Sequence, residues 1–143
     1  MPSHDAWLAI LNPAAGRARA GAVWPAVERQ LARAGIRFDV ERTTRPNEGE
    51  SIAREAARDK RRRILVVGGD GSVHDVVNGI MDAGLDADDM VTLAVAPDGT
   101  GNDWARSLGI GRDPHAVSAA IVAGNTLLHH VGVIAFPHAR QPA

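Results

Sequence analysis

The chain has 143 residues, 16 basic and 17 acidic side chains, 45% hydrophobic residues and no cysteine. That length suits one domain, which argues against a two-domain enzyme with both halves in the chain, and the composition is globular rather than disordered. The missing cysteine excludes disulfide scaffolds, thiolate zinc sites and cysteine nucleophiles. It also fits a cytoplasmic location.

Only 3% of residues are aromatic. The core must come from Val, Ile, Leu and Ala, and a base-stacking nucleic-acid module is disfavoured, so no nucleic-acid partner is expected. No apolar run approaches the ~18 residues of a membrane span. The N-terminus carries Asp5 and no basic stretch, unlike a signal peptide. Charge is uneven: residues 1–63 hold 13 basic and 8 acidic side chains, and residues 64–143 hold 3 and 9.

In chain order, residues 6–11 (AWLAIL) predict a strand stopped by Asn12-Pro13. Residues 22–34 place Val23, Val27, Leu31 and Ala34 at helical spacing, closed by Gly35. Ile36, Phe38 and Val40 alternate over 36–42, a half-buried strand. Residues 47–60 read as a helix with Ile52, Ala53, Ala56 and Ala57 on one face. Residues 64–67 (ILVV) are a buried strand stopped by Gly68-Gly69, and a helix follows over about 73–81. A strand at 91–96 ends at Pro97, and a helix over 102–107 ends at Gly109. Pro114 opens a helix that Gly124 closes, residues 127–134 read as a last strand, and 137–143 as a loose tail. The alternation predicts an α/β fold: three layers, α/β/α, around a mostly parallel sheet.

Ligands of such sheets bind beyond the carboxyl ends of the strands. Three unusual loops fall there: NPAAG (12–16), GGDGS (68–72) and PDGTGND (97–103). A glycine-rich turn opening a helix offers N–H groups and a positive dipole end to an anion, usually phosphate. The Ser72 hydroxyl either donates to a phosphate or caps the helix. Asp70 would repel a phosphate unless a cation bridged them, and Mg²⁺ with nucleotide is the common case. Asp103 is a second candidate of that kind. One such loop is often only a tight turn. Three at one sheet edge, two with an acid and a hydroxyl, point to a ligand site.

Other motifs fail. There is no P-loop pattern, and no G-x-G-x-x-G follows the first strand. The six His lack metal-ligand spacing. His74 is equally suited to capping and to catalysis. The acidic stretch Asp82, Asp86, Asp88, Asp89 reads as a solvated loop. The basic run Arg58, Lys60–Arg63 reads mainly as a complement to a helix C-terminus, with an anionic membrane surface as the alternative.

LNPAAG, VVGGDGSVHDVVNGI and APDGTGNDWARSLGI, in this order, resemble the diacylglycerol kinase catalytic domain, the superfamily of bacterial lipid kinases and sphingosine kinases. AIVAGNTLLHHVGVI also looks like the family segment that follows, so the resemblance spans about residues 7–134. It implies a fold like the N-terminal domain of NAD kinases and diacylglycerol kinases. It also implies an ATP-dependent kinase that phosphorylates a lipid hydroxyl at the membrane surface. By position, the nucleotide contacts would be Asn12, Pro13 and on to Gly16; Thr44; Gly68, Gly69, Asp70, Gly71, Ser72, Val73 and His74; and Thr100, Gly101 and Asn102. Asp70 and Asp103 would join the Mg²⁺ network, the two catalytic candidates.

Several departures matter: GGDGS stands for GGDGT with its hydroxyl kept, NPAAG for NPxSG with a possible phosphate donor lost at Ala15, His74-Asp75 for Asn-Glu with the acid shortened by one methylene, GTGNDWAR for GTGNDFAR, and after the fifth helix His129-His130 stands where the family generally places an Asp. The larger departure is length. Family members continue into a β-rich domain expected to carry the general base, so residues 1–136 would be the nucleotide half alone. That leaves a non-catalytic nucleotide-binding remnant as an alternative, and an NAD kinase-like enzyme as a third. An uncovered face would favour homodimerisation.

Overall fold

The computed structural model describes residues 5–14, 20–98 and 100–136. In chain order these form β1 (Trp7–Leu11), α1 (Ala20–Arg33), β2 (Phe38–Arg42), α2 (Glu48–Arg58), β3 (Arg63–Gly68), α3 (Asp70–Asp82), β4 (Thr92–Pro97), α4 (Asp103–Ser107) and α5 (Pro114–Ala123). Every strand pairing is parallel, in the order β2-β1-β3-β4.

Side chains alternate across the sheet and supply two cores. Leu8, Ile10, Ile64, Val66 and Val95 face α2 and α3. Ala9, Leu11, Leu65, Val67 and Ala96 face α1 and α5. Two buried faces explain why the central strands read as unbroken apolar runs. On α1, Trp24, Val27 and Leu31 recur at helical spacing and are all buried, with Trp24 edge-on to Phe38 at 5.8 Å. Each fully buried Leu of this kind contributes about 1.5–3 kcal/mol.

The other outer layer depends on small residues. Ala53, Ala56 and Ala57 let α2 approach α3, and Gly79 sits at the contact. A Cβ at Gly79 would lie 2.1 Å from the Glu50 carbonyl oxygen and 3.0 Å from the Ala53 Cβ.

Two expectations need correction. The strand expected at 127–134 does not form, so among the described residues the sheet has four strands. Residues 122–136 are exposed throughout, and without a layer to cover them their apolar pattern cannot become a buried strand. The helix expected from Val73 begins at Asp70, so Asp70, Gly71 and Ser72 belong to its first turn.

The basic run takes the part expected of it, a complement to helix C-terminal carbonyls, rather than forming a free cationic face. Arg61 is buried, paired with Asp39 at 2.8 Å. Arg62 donates to the Ala57 carbonyl at the end of α2 (2.7 Å) and pairs with Asp89 at 3.2 Å. Arg63 donates to the Asp5 carbonyl at 2.9 Å, and Arg58 to that of Asp82 at 3.4 Å. These contacts lie at the N-terminal edge of the sheet, away from the glycine-rich loops. The tail at 137–143 lies outside the described residues.

Gly79→Ala is expected to destabilise the domain by about 1–3 kcal/mol through overpacking. Thermal unfolding checks this, and an unchanged midpoint would mean that α2 and α3 separate freely.

Candidate functional site

The register brings the strand ends level: Leu11 lies beside Arg42 and Val67, and Gly68 beside Pro97. Hydrogen bonding continues past them. Asn12 N–H donates to the Val67 carbonyl (3.2 Å), Thr43 N–H to that of Leu11 (2.9 Å) and Asp98 N–H to that of Gly68 (3.0 Å). β1 leads into α1 on one face of the sheet, and β3 leads into α3 on the other. The gap between their loops is a topological switch point, where such sheets bind ligands.

Asn12 ties this edge together. Its Oδ1 accepts from Ala14 N–H at 3.1 Å, closing a tight turn, and from the Thr43 hydroxyl at 3.5 Å. That leaves its Nδ2 to donate to the Ser72 hydroxyl oxygen at 3.1 Å, across β1 and α3. Ser72 thereby keeps its own proton for another acceptor. It is buried under the first turn of α3.

A cleft of about 460 Å³ opens here, lined by Asn12, Pro13, Ala14, Thr43, Thr44 and Arg45, by Glu48 and Gly49, and by Ser72, Asp75 and Val76. That size is in the range of small-molecule sites. Thr44 lies on it, but its N–H and hydroxyl both donate to Glu48, which also accepts from Arg45 N–H at 3.2 Å. These donors, the Thr44 N–H first, hold the Glu48 carboxyl below its ordinary pKa.

The second cluster lies on the other side of the α3 N-terminus. Asp70 Oδ2 accepts from Asp103 N–H at 2.9 Å, and Oδ1 from Trp104 N–H at 3.1 Å. The Asp103 N–H, then that of Trp104, lower the Asp70 pKa. Gly101 lies between the acids: a Cβ there would sit 3.1 Å from Asp70 Oδ2 and 3.9 Å from both Asp103 oxygens. Asp103 pairs with Arg106.

The expected residues therefore fall into two groups. Asn12, Pro13, Thr44 and Ser72 line the cleft. Asp70, Gly101, Asn102 and Asp103 gather at α4, with Thr100 exposed beside them. Gly68 and Gly69 join β3 to α3, with Gly69 as the N-cap and Gly71 exposed in the first turn. Two residues face elsewhere. Val73 is buried in the core and its N–H serves the Gly69 carbonyl. Exposed His74 shares a hydrogen bond with Asn78 at 3.0 Å. Gly16 lies outside the described residues.

The sequence reading passed over Thr43, Arg45, Glu48 and Asp75 as cleft residues. The available signal was that TTRPNE follows a parallel strand, so it must emerge at the same edge. His129 is a further neighbour of α4: the Trp104 indole N–H donates to its Nε2 at 3.4 Å, with the rings edge-on at 5.8 Å.

Among the described residues, no group of three or more His, Cys, Asp or Glu side chains could hold a metal. The two carboxylates flanking Gly101 are of the donor type Mg²⁺ takes, one or two carboxylates with phosphate oxygens and water, and each already has a protein partner.

The profile of the diacylglycerol kinase catalytic domain matches residues 6–134. The chain belongs to that family. A diacylglycerol kinase of Bacillus subtilis is 36% identical over 104 residues, covering 73% of this chain and 33% of its own length. Sphingosine kinase B of Dictyostelium discoideum is 29% identical over 119 residues, covering 82% of this chain and 15% of its own. The crystal structure of a diacylglycerol kinase from Bacillus anthracis superposes with a TM-score of 0.71 at 28% identity, covering 85% of this chain and 43% of that one. The chain thus spans well under half of each relative. Membership in this family favours the lipid-kinase branch over the NAD kinase-like alternative.

Lowered carboxyl pKa values tie stability to pH. For Asp70 and Glu48 the folded value lies below the unfolded one. Their contribution is therefore full above about pH 5 and lost as pH falls through and below the ordinary value near 4. The double variant Asp70→Asn, Glu48→Gln should show a flatter loss of stability below about pH 5 in urea titrations. An acid limb as steep as the native one would remove both groups from the linkage.

Proposed function

We propose that residues 6–134 form the nucleotide-binding domain of an ATP-dependent lipid kinase, whose reaction moves the γ-phosphoryl group to a hydroxyl of diacylglycerol or a related lipid. The observation that carries this reading is the Asn12–Ser72 hydrogen bond, which joins two glycine-rich loops across the switch point beside the cleft. It stands together with the family membership.

Phosphoryl transfer depends mainly on positioning and on stabilising charge. The α3 N-terminus presents N–H groups and a positive dipole end to the phosphates. Ser72 donates its remaining proton, and Asn12 fixes its rotamer. Asp70 and Asp103 would hold Mg²⁺ together with phosphate oxygens; when bound, the ion supplies neutralisation of phosphate charge. Among the described residues no helix is long and apolar enough to cross a membrane, and we place the enzyme in the cytoplasm, meeting its lipid at the membrane surface.

Calorimetric titration with ATP, with and without Mg²⁺, tests this. Binding strengthened by magnesium is expected. Asn12→Ala should weaken it about tenfold, near 1.4 kcal/mol, by freeing the Ser72 rotamer. Absence of binding at millimolar ATP would overturn the reading.

A further inference from the structure

α4 is short and starts without help from its own N-cap. Its Asn102 makes no side-chain cap hydrogen bond, although the left-handed turn there (φ 53°) exposes the N–H groups that follow. Those first-turn donors need an acceptor. Asp70 supplies it from another element, with one carboxylate oxygen on Asp103 N–H and the other on Trp104 N–H, at 2.9 and 3.1 Å. The acceptor and donors are 33 and 34 residues apart in sequence. Ala105 is the helix's one buried residue, and half-buried Trp104 packs against the core beside it.

The fit against Gly101 is close. Its hydrogen stands where a Cβ would come within 3.1 Å of Asp70 Oδ2. Asp70 is also the first residue of α3, so a single negative charge sits at the positive ends of two helices, favourable to both.

We propose that Asp70 is a positioning residue, a latch that holds the Gly101–Asp103 turn against the first turn of α3. It sets the spacing between two of the three glycine-rich loops, and so shapes the phosphate site even without a metal. This rests on the nucleotide-binding reading above and changes the part Asp70 plays in it. A ligand of Mg²⁺ alone would matter only when magnesium is present. A latch matters for bare ATP as well.

The test compares two variants of the full chain with the native chain. Asp70→Asn removes the charge and one acceptor. Gly101→Ala leaves Asp70 charged but crowds its carboxylate, and it carries the test if the first variant does not fold. Both are titrated with ATP in magnesium buffer and in EDTA, and amide exchange at Asp103 and Trp104 is followed by NMR. The latch predicts about tenfold weaker ATP binding in EDTA as well as in magnesium buffer, any further loss in magnesium reflecting the ion that Asp70 would hold, with faster exchange at those two amides. A loss confined to magnesium buffer, or unchanged affinity in both, overturns it. If the native chain binds no ATP, the proposed function falls and the amides alone judge the latch. Faster exchange in the variants then supports it, and unchanged exchange overturns it.

Discussion

The cleft exists because β1 lies beside β3 rather than at the edge of the sheet. From β1 the chain crosses to β2 on one side, then returns past β1 to β3 on the other. Right-handed crossovers then require α1 and α3 to cover opposite faces. Their entry loops diverge, and the space between them cannot be filled by either helix. The apolar pairs Ile10–Val66 and Leu11–Val67 hold this arrangement. β1 and β3 are buried on both faces, so a one-residue slip would exchange the two cores and misalign the loops.

The first turn of α3 is where the site becomes one structure. On one side Ser72 accepts from Asn12 and belongs to the cleft. On the other side Asp70 accepts from α4. The turn therefore links the β1, β3 and β4 loops while its N–H end faces outward. Two acids near the proposed phosphate site are committed to partners. Glu48 is turned onto Thr44 and Arg45, and Asp103 onto Arg106. This moderates the repulsion that a run of carboxylates would otherwise exert on an anionic ligand.

Beyond α5 the chain behaves differently. Val133, Ile134 and Phe136 are each at least 75% exposed, yet the segment touches the site through His129 and Trp104. The relatives are more than twice as long as this chain's match to them. Apolar side chains this open lack the neighbours that give a strand its stability. The strand pattern in 127–134 is thus a genuine local preference with nothing in the described residues to satisfy it.

The sequence by itself determined the α/β class, the positions of four strands, the two-sided burial of the central ones, and the loops at their carboxyl ends. Those follow from local periodicity and from Gly and Pro punctuation, which act over a few residues. It also marked Asn12, Ser72, Asp70 and Asp103 as polar groups needing a purpose. Tertiary structure alone decided their partners. That Asn12 meets Ser72, that Asp70 caps a helix more than thirty residues away, and that Val73 turns inward all depend on strand order and helix side. Arg61 shows the same limit: a basic run on paper, its guanidinium is buried against Asp39. Sequence spacing specifies which face of its own element a side chain occupies, but which element lies opposite is set by packing of the whole sheet.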